Sequence, residues 1–455
     1  MSTLLVKNAT LLLTMDDENR RIPQGGLFLR DRFIEAVGPS SALPAQADRV
    51  LDASGMLILP GLINTHHHLY QTLTRALPGA QDAELFDWLI RLYPVWGDLT
   101  DEAIYVSAFV GLAEMALSGC TTSTDHLYLF PNDCTLDAEI RAAQDLGVRF
   151  HPTRGAMSLG SSKGGLPPDH VVEEEDAILA DCQRVIETYH DPKPGSMLHI
   201  GLAPCSPFSV TPDLMRQAAQ LARTYEGVDL HTHVAETLDE ERFCLEKFNA
   251  RPAEYMRQMG WVGPDVWWAH AIWLNDDEVQ MLADTATGVA HCPSSNMRLG
   301  SGIAKIREMR QAGIRVGLGV DGSASNDSCS VLEEARTALL LQRVTKGAAA
   351  FSVMDALHLA TRGSAAVINR DDLGQLAPGK AADFVGVRLD KLEFAGGAVH
   401  DPAAALLLCT PHGVDLSVIN GKLVMEKGEL LGHDLPRMVA RHNEIAHQMA
   451  SQHPA

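Results

Sequence analysis

The chain of 455 residues is 46% hydrophobic and 21% charged, a balance that excludes a disordered polymer. Its net charge of −21 argues against the basic face that nucleic-acid binding needs, and no apolar run approaches bilayer-spanning length. The eight cysteines carry no CxxC spacing, which suits reduced, buried thiols in a cytoplasm rather than a disulfide framework.

The opening segments "LLVKNATLLL", "GGLFLRDRFIEAVG" and "RVLDASGMLILPG" read as short strands punctuated by Gly, Pro, Asp and Asn, not as a signal peptide. Helices then alternate with short strands. "TDEAIYVSAFVGLAEMALSG" precedes "CTTSTDH", "TPDLMRQAAQLARTYEG" precedes "VDLHTHVAE", and "NDDEVQMLADTA" precedes "GVAHC". Strands near residues 62, 121, 149, 200, 230, 267, 289 and 316 make eight, which predicts a (β/α)8 TIM barrel over residues 60–373. An open doubly wound sheet is the alternative, but no GxGxxG follows a strand. Near the far end "GQLAPGKAADFVGVRLD" and "GVDLSVINGKLVMEKGEL" return to strand texture, with Asn420-Gly421 as a hairpin turn. Neither end can bury a sheet alone, so residues 1–59 and 374–430 are expected to combine into a small β-sandwich domain. Residues 431–455, holding "LPRMVARHNEIAHQMASQ", are expected to form an outer helix.

In such a barrel the reactive groups sit at the carboxyl ends of the strands, so polar residues there carry the most information. In "LINTHHH" alternation puts His66 and His68 on one face and His67 on the other. If Leu62 and Asn64 also face inward, the two histidines crown the strand and can share one ion about 2 Å from each. The competing reading is a pair of hydrogen-bonded polar residues. "VDLHTHVAET" places His231 deep and His233 at the mouth, and Glu236 follows as an acid–base candidate if the chain bends back over the site. In "IRVGLGVDGSASND" the face of Gly317, Gly319 and Asp321 leaves room inside and ends in a carboxylate. A helix cap or turn is the other role open to Asp321. "DVWWAHA" ends its face on His270. Strand four, "LHIGLAPCSP", offers no lysine or glutamate to bridge two metals, which favours a single ion.

Together "PGLINTHHH", "HTHVAE", "WAH" and "GLGVDGSASND" resemble the metal-dependent amidohydrolase superfamily, and within it the mononuclear deaminase and triazine-hydrolase branch. The resemblance covers nearly the whole chain, including the split β domain. It implies that His66, His68, His233 and Asp321 bind one Zn2+, with Fe2+ or another divalent ion as substitutes. It implies that Glu236 moves protons, that His270 polarises the substrate, that Asp321 also serves as base, and that Gln71 contacts the substrate. On chemistry alone Gln71 could equally make a hydrogen bond at the barrel rim. Arg154 and Cys205 are weaker candidates for the pocket wall. "CSPFSVTP" and "CPSSNMRLGSG" lean toward the purine-deaminating members.

The expected reaction is hydrolytic removal of an exocyclic amine from an aminopurine, 8-oxoguanine foremost, giving urate and ammonia. The alternatives are an N-alkylamine hydrolase of triazines and, more remotely, an inactive binding or scaffold protein on the same fold. The expected partners are a small heterocyclic substrate and further copies of the same chain, with no nucleic acid and no membrane.

Overall fold

The computed structural model describes residues 2–409 and 413–453. Its centre is a parallel eight-stranded barrel: β1 Leu62–Asn64, β2 Cys120–Leu127, β3 Arg149–Ala156, β4 Gly201–Pro204, β5 Asp229–Val234, β6 Val266–His270, β7 Gly288–His291 and β8 Val316–Leu318. All eight residues of β2 and all eight of β3 are buried, as strands covered on both faces must be. Across the seam between β8 and β1, Thr65 N donates to Leu318 O at 2.8 Å and Asp321 N to His66 O at 3.0 Å. The last loop is thereby tied directly to the first histidine.

Local chemistry starts the surrounding helices where the sequence places them. Thr100 caps Asp101–Leu117 by accepting from Ala103 N, and Thr211 caps Pro212–Ala222 by accepting from Leu214 N. Asn275 and Glu278 form a reciprocal capping box at the start of Asp276–Thr285. Among the described residues no helix is long and apolar enough to cross a membrane.

The chain ends build a second sheet of nine strands. Met56–Pro60 pairs antiparallel with Phe384–Arg388, and that pairing joins the two ends of the sequence. Leu12, Ile34 and Leu27 from the first wing share one buried cluster with Phe384 and Val418 from the second. Asn420 and Gly421 take φ of 52° and 75° between the paired residues Ile419 and Lys422, the left-handed turn that suits a right-twisted hairpin. The helix Leu435–Gln452 reaches back to the barrel through Arg441, which pairs with Glu102 at 2.7 Å, and His442, hydrogen-bonded to Thr72 Oγ1 at 3.0 Å.

Candidate metal centre

Strand β1 stops at Asn64, so the three histidines lie on the loop just beyond it, all buried. Each mouth imidazole has one nitrogen committed to a supporting acceptor, and this decides which nitrogen keeps its lone pair. His68 Nδ1 donates to His126 O at 2.7 Å, and His233 Nδ1 donates to Cys205 O at 2.7 Å. His231 Nδ1 donates to Trp267 O at 3.0 Å, so its Nε2 accepts from His66 Nδ1 at 2.7 Å. All three of His66, His68 and His233 are left with a free Nε2. Burial, above all, holds their charge off, and His233 is pushed down to about 3.

Those Nε2 atoms converge. His68 Nε2 and His233 Nε2 are 3.1 Å apart. Asp321 Oδ1 lies 3.2 Å from His66 Nε2 and 3.4 Å from His68 Nε2. Four atoms each 2.0–2.1 Å from an ion at tetrahedral angles would be separated by roughly 3.3 Å. Two imidazole lone pairs facing each other have no proton to share, whereas a divalent cation satisfies both. These residues therefore fit the ion that the donor set calls for. Burial works to raise the Asp321 carboxyl, but the imidazoles that close around it, His66 first, outweigh that and hold it well below the usual carboxylate range.

Glu236 and His270 face this group. The bend that carries Glu236 back over the mouth is made at Ala235, whose φ is 54°, and the Glu240 carboxyl accepts from Ala235 N at 2.9 Å and from Glu236 N at 2.8 Å. Burial pushes the Glu236 carboxyl up to about 7. His270 Nδ1 donates to Asn296 Oδ1 at 2.8 Å, so its Nε2 faces Glu236 Oε2 at 3.5 Å and Asp321 Oδ2 at 3.8 Å. Burial works to lower the imidazole, and the carboxylates of Glu236 and Asp321 overcome that and raise it. His270 and Asp321 also hold φ of 69° and 63°, left-handed backbone that side-chain-bearing residues rarely adopt.

A cavity opens above these groups, and Gln71, Cys205, Glu236 and His270 are on its wall. The Gln71 carboxamide packs against Gly322, where a Cβ would come within 1.9 Å of Gln71 Oε1. Cys205 Sγ sits 3.8 Å from His233 Nδ1, and burial pushes the thiol up to about 12, so it serves as a wall and not as a nucleophile. Arg154 is elsewhere. It turns toward the helix side of β3, where it pairs with Glu173 at 2.8 Å and Asp181 at 2.8 Å and lies 3.7 Å over the Phe130 ring. Its strand position sends it outward, so the expected wall contact is not made. His67 also points away from the centre, toward Cys329 Sγ at 3.2 Å. The β8 glycines differ from expectation in one respect. A Cβ on Gly319 would press on His66 Cβ at 2.7 Å, but one on Gly317 would meet Ser364 Cα at 2.7 Å, outside the barrel.

Sequence reasoning passed over two contributors. The helix Leu85–Trp96 supplies Leu85, Trp88, Leu89 and Tyr93 to the cavity wall, joined by Tyr128 and Phe208. Apolar wall residues carry the same pattern as core residues, so no signal separates them. His126 ends the polar run "CTTSTDH" of β2, and a histidine at a strand's carboxyl end is a signal that could have found it.

A model of the amidohydrolase family matches residues 57–424. The chain is 47% identical over 449 residues to 8-oxoguanine deaminase of Pseudomonas aeruginosa, covering 98% of this chain and 99% of that protein. It is 38% identical to hydroxydechloroatrazine ethylaminohydrolase of a Pseudomonas species, covering 95% and 93% of the two chains. Its fold overlays the crystal structure of an atrazine chlorohydrolase from Arthrobacter aurescens complexed with zinc, with a TM-score of 0.92 at 36% identity over 97% of this chain and 100% of the other.

Proposed function

The chain belongs to the amidohydrolase family, and from that premise we propose that it hydrolyses the exocyclic amine of an aminopurine, 8-oxoguanine foremost, releasing urate and ammonia. The observation that carries the reading is a buried carboxyl, Glu236, placed 3.5 Å from His270 on the same cavity wall as His68, His233 and Asp321. We assign His66, His68, His233 and Asp321 as ligands of one divalent ion, Zn2+ by the donor set and by similarity to the zinc-containing neighbour. When bound, such an ion brings the pKa of a water toward about 7 and so makes a nucleophile available at neutral pH.

The chain's own groups do the rest. Asp321, held deprotonated, takes a proton from the attacking water. Glu236, whose carboxyl burial pushes up to about 7, donates a proton to the ring nitrogen beside the amine-bearing carbon and so sharpens that carbon as an electrophile. His270 Nε2, aimed at both carboxylates, stabilises charge on the attacking oxygen as the C–O bond forms. The proton held by Asp321 passes to the amine nitrogen, the C–N bond breaks to release ammonia, and the adduct's hydroxyl proton returns to Glu236 as the new C=O forms. One water is consumed for each ammonia released. Trp88, Tyr93, Tyr128 and Phe208 give the cavity aromatic walls suited to a flat heterocycle, and Gln71 offers an amide for its edge.

A second reading, hydrolysis of an N-alkylamino triazine, draws on the leucines Leu85, Leu89 and Leu299 in the same wall, which could take an alkyl group. Ammonia release from 8-oxoguanine, compared with amine release from N-ethylamino-hydroxytriazines, separates the two. Turnover of the triazine alone would replace the purine assignment. A chain that binds no ion and turns over neither substrate would leave only the scaffold alternative.

A further inference from the structure

Tyr93, in the last turn of the helix Leu85–Trp96, has a fully buried ring, and its hydroxyl is buried with no hydrogen-bond partner among the described residues. A phenol taken out of water is costly unless something pairs with it. Neighbouring polar groups on the cavity wall are already engaged. Trp88 Nε1 donates to Ala324 O at 3.2 Å, and Ser325 Oγ donates to Gly322 O at 3.1 Å while receiving a bond from Ser295 Oγ at 2.9 Å. Tyr70 and Tyr255 also bury an unpartnered hydroxyl, yet neither is on the wall of this cavity. An orphaned hydroxyl alone assigns nothing. Tyr93 has the orphaned hydroxyl and a place where substrate is received.

Its neighbours locate it along the cavity. Tyr128 and Cys205 act on the Tyr93 hydroxyl, whereas the charge of Asp321 reaches the Tyr128 hydroxyl as well. Tyr93 therefore stands farther from the ion site than Tyr128 does. Burial raises the phenol well above its ordinary range, so it keeps its proton and can donate. The ring is also held in place. It meets Trp96 at 81° with centroids 6.0 Å apart, and Trp96 Nε1 is anchored on Thr74 Oγ1 at 3.1 Å.

The proposed substrate has a matching shape. C2 and C8 of a purine lie at opposite ends of its long axis. With the amine-bearing C2 beside Glu236 and His270, the five-membered ring reaches the other end of the cavity, carrying an oxo oxygen and ring N–H groups. We infer that Tyr93 is a specificity-determining residue whose hydroxyl hydrogen-bonds the oxo-bearing five-membered ring, so that the site selects an 8-oxopurine over a single-ring substrate. The inference rests on the deaminase reading above and deepens it. A pyrimidine or a hydroxytriazine has no second ring and leaves the hydroxyl buried without a partner, a mismatch that discriminates strongly.

The test compares wild type and Tyr93→Phe on 8-oxoguanine and on isocytosine, which keeps the amine-bearing ring and lacks the five-membered one. Phenylalanine preserves the ring and its packing against Trp96. The ratio of the two kcat/KM values should shift by about 10–100-fold against 8-oxoguanine, the scale of one hydrogen bond to a buried group. Calorimetry in the Glu236→Gln background reads binding without turnover. Adding Tyr93→Phe there should weaken 8-oxoguanine by a similar factor and isocytosine far less. A ratio that stays put, whether both rates fall together or neither changes, shows that Tyr93 only packs the wall; it overturns the inference and leaves the deaminase reading standing. A wild type that releases no ammonia from 8-oxoguanine overturns both.

Discussion

The two ends of the barrel treat buried polar groups in opposite ways. At the base, Arg149 spends its guanidinium on Asp383, at 2.8 Å and 3.0 Å, and on the carbonyls of Gly195 and Ser196, while Arg370 makes two bonds to Asp372 at 2.8 Å and 2.9 Å. At the mouth, the Nε2 of His66 is left without a hydrogen-bond partner and those of His68 and His233 face each other. Unpartnered nitrogens also occur at the base, on His151 and His199, whose rings meet at 64° with centroids 5.4 Å apart. Among the described residues, though, ligand atoms gather in threes or more at the mouth and not there. Paired charge joins the barrel floor to the surrounding chain. Converging lone pairs mark the end at which an ion and a substrate can be received.

Substitutions that keep these roles apart test the contrast. The largest effect is expected from His66→Ala, which removes a residue common to both donor groups at the mouth: ion content and deamination should vanish together. Retention of a full ion by this variant, read by elemental analysis, would break the assignment of the mouth. Glu236→Gln comes next. It keeps the shape, the ion and the fold but cannot relay a proton, so turnover should fall by about 10²–10⁴-fold. Substrate binding measured by calorimetry should persist.

At the base, Arg149→Met leaves the Asp383 carboxylate buried and unpaired, which costs about 3–5 kcal/mol. Denaturant titration should register that loss, while the folded fraction keeps one ion per chain and a normal turnover number. A base variant that unloads the ion would show that the two ends are not separable. His67→Ala should retain its ion, because its ring is turned to Cys329 and away from the centre. If it emerges metal-free, the assignment of the three consecutive histidines is off by one.

The smallest effect concerns pH. Burial pushes the Glu240 carboxyl up to about 8 from an ordinary 4.5. Its folded pKa is raised, so the stability it contributes is fully present below pH 4.5 and is lost as pH rises toward and through about 8. Glu240→Gln cannot ionise, and its melting temperature should fall less than that of the wild type between pH 5 and 8.5. Parallel melting curves would show that Glu240 does not titrate in that window.

Much of this architecture was open to reading in the residues, and for a common reason. His66, His68, His233, His270 and Asp321 interrupt apolar strand patterns at their carboxyl ends, where a barrel has its mouth, so period and position together single them out. The capping threonines, the Asn420-Gly421 turn and the helix Leu435–Gln452 follow from backbone preferences a few residues long. His126 was less visible because the threonines and serines before it blur the alternation of β2. Arg154 misled because a long cation near a strand end suits a pocket wall as well as an outer salt bridge.

By itself, then, the sequence determined the alternation of elements, the strand ends and the residue types available there, since these depend on local propensity and hydrophobic period. The tertiary structure alone decided which imidazole nitrogen is free, that burial pushes the Glu236 carboxyl up to about 7, and that Leu85 and Trp88, core residues by pattern, also wall the cavity. Tautomers are set by carbonyls such as Cys205 O and His126 O. Protonation is set by burial, and walls by packing. All three depend on groups distant in the chain, which meet only when the barrel closes.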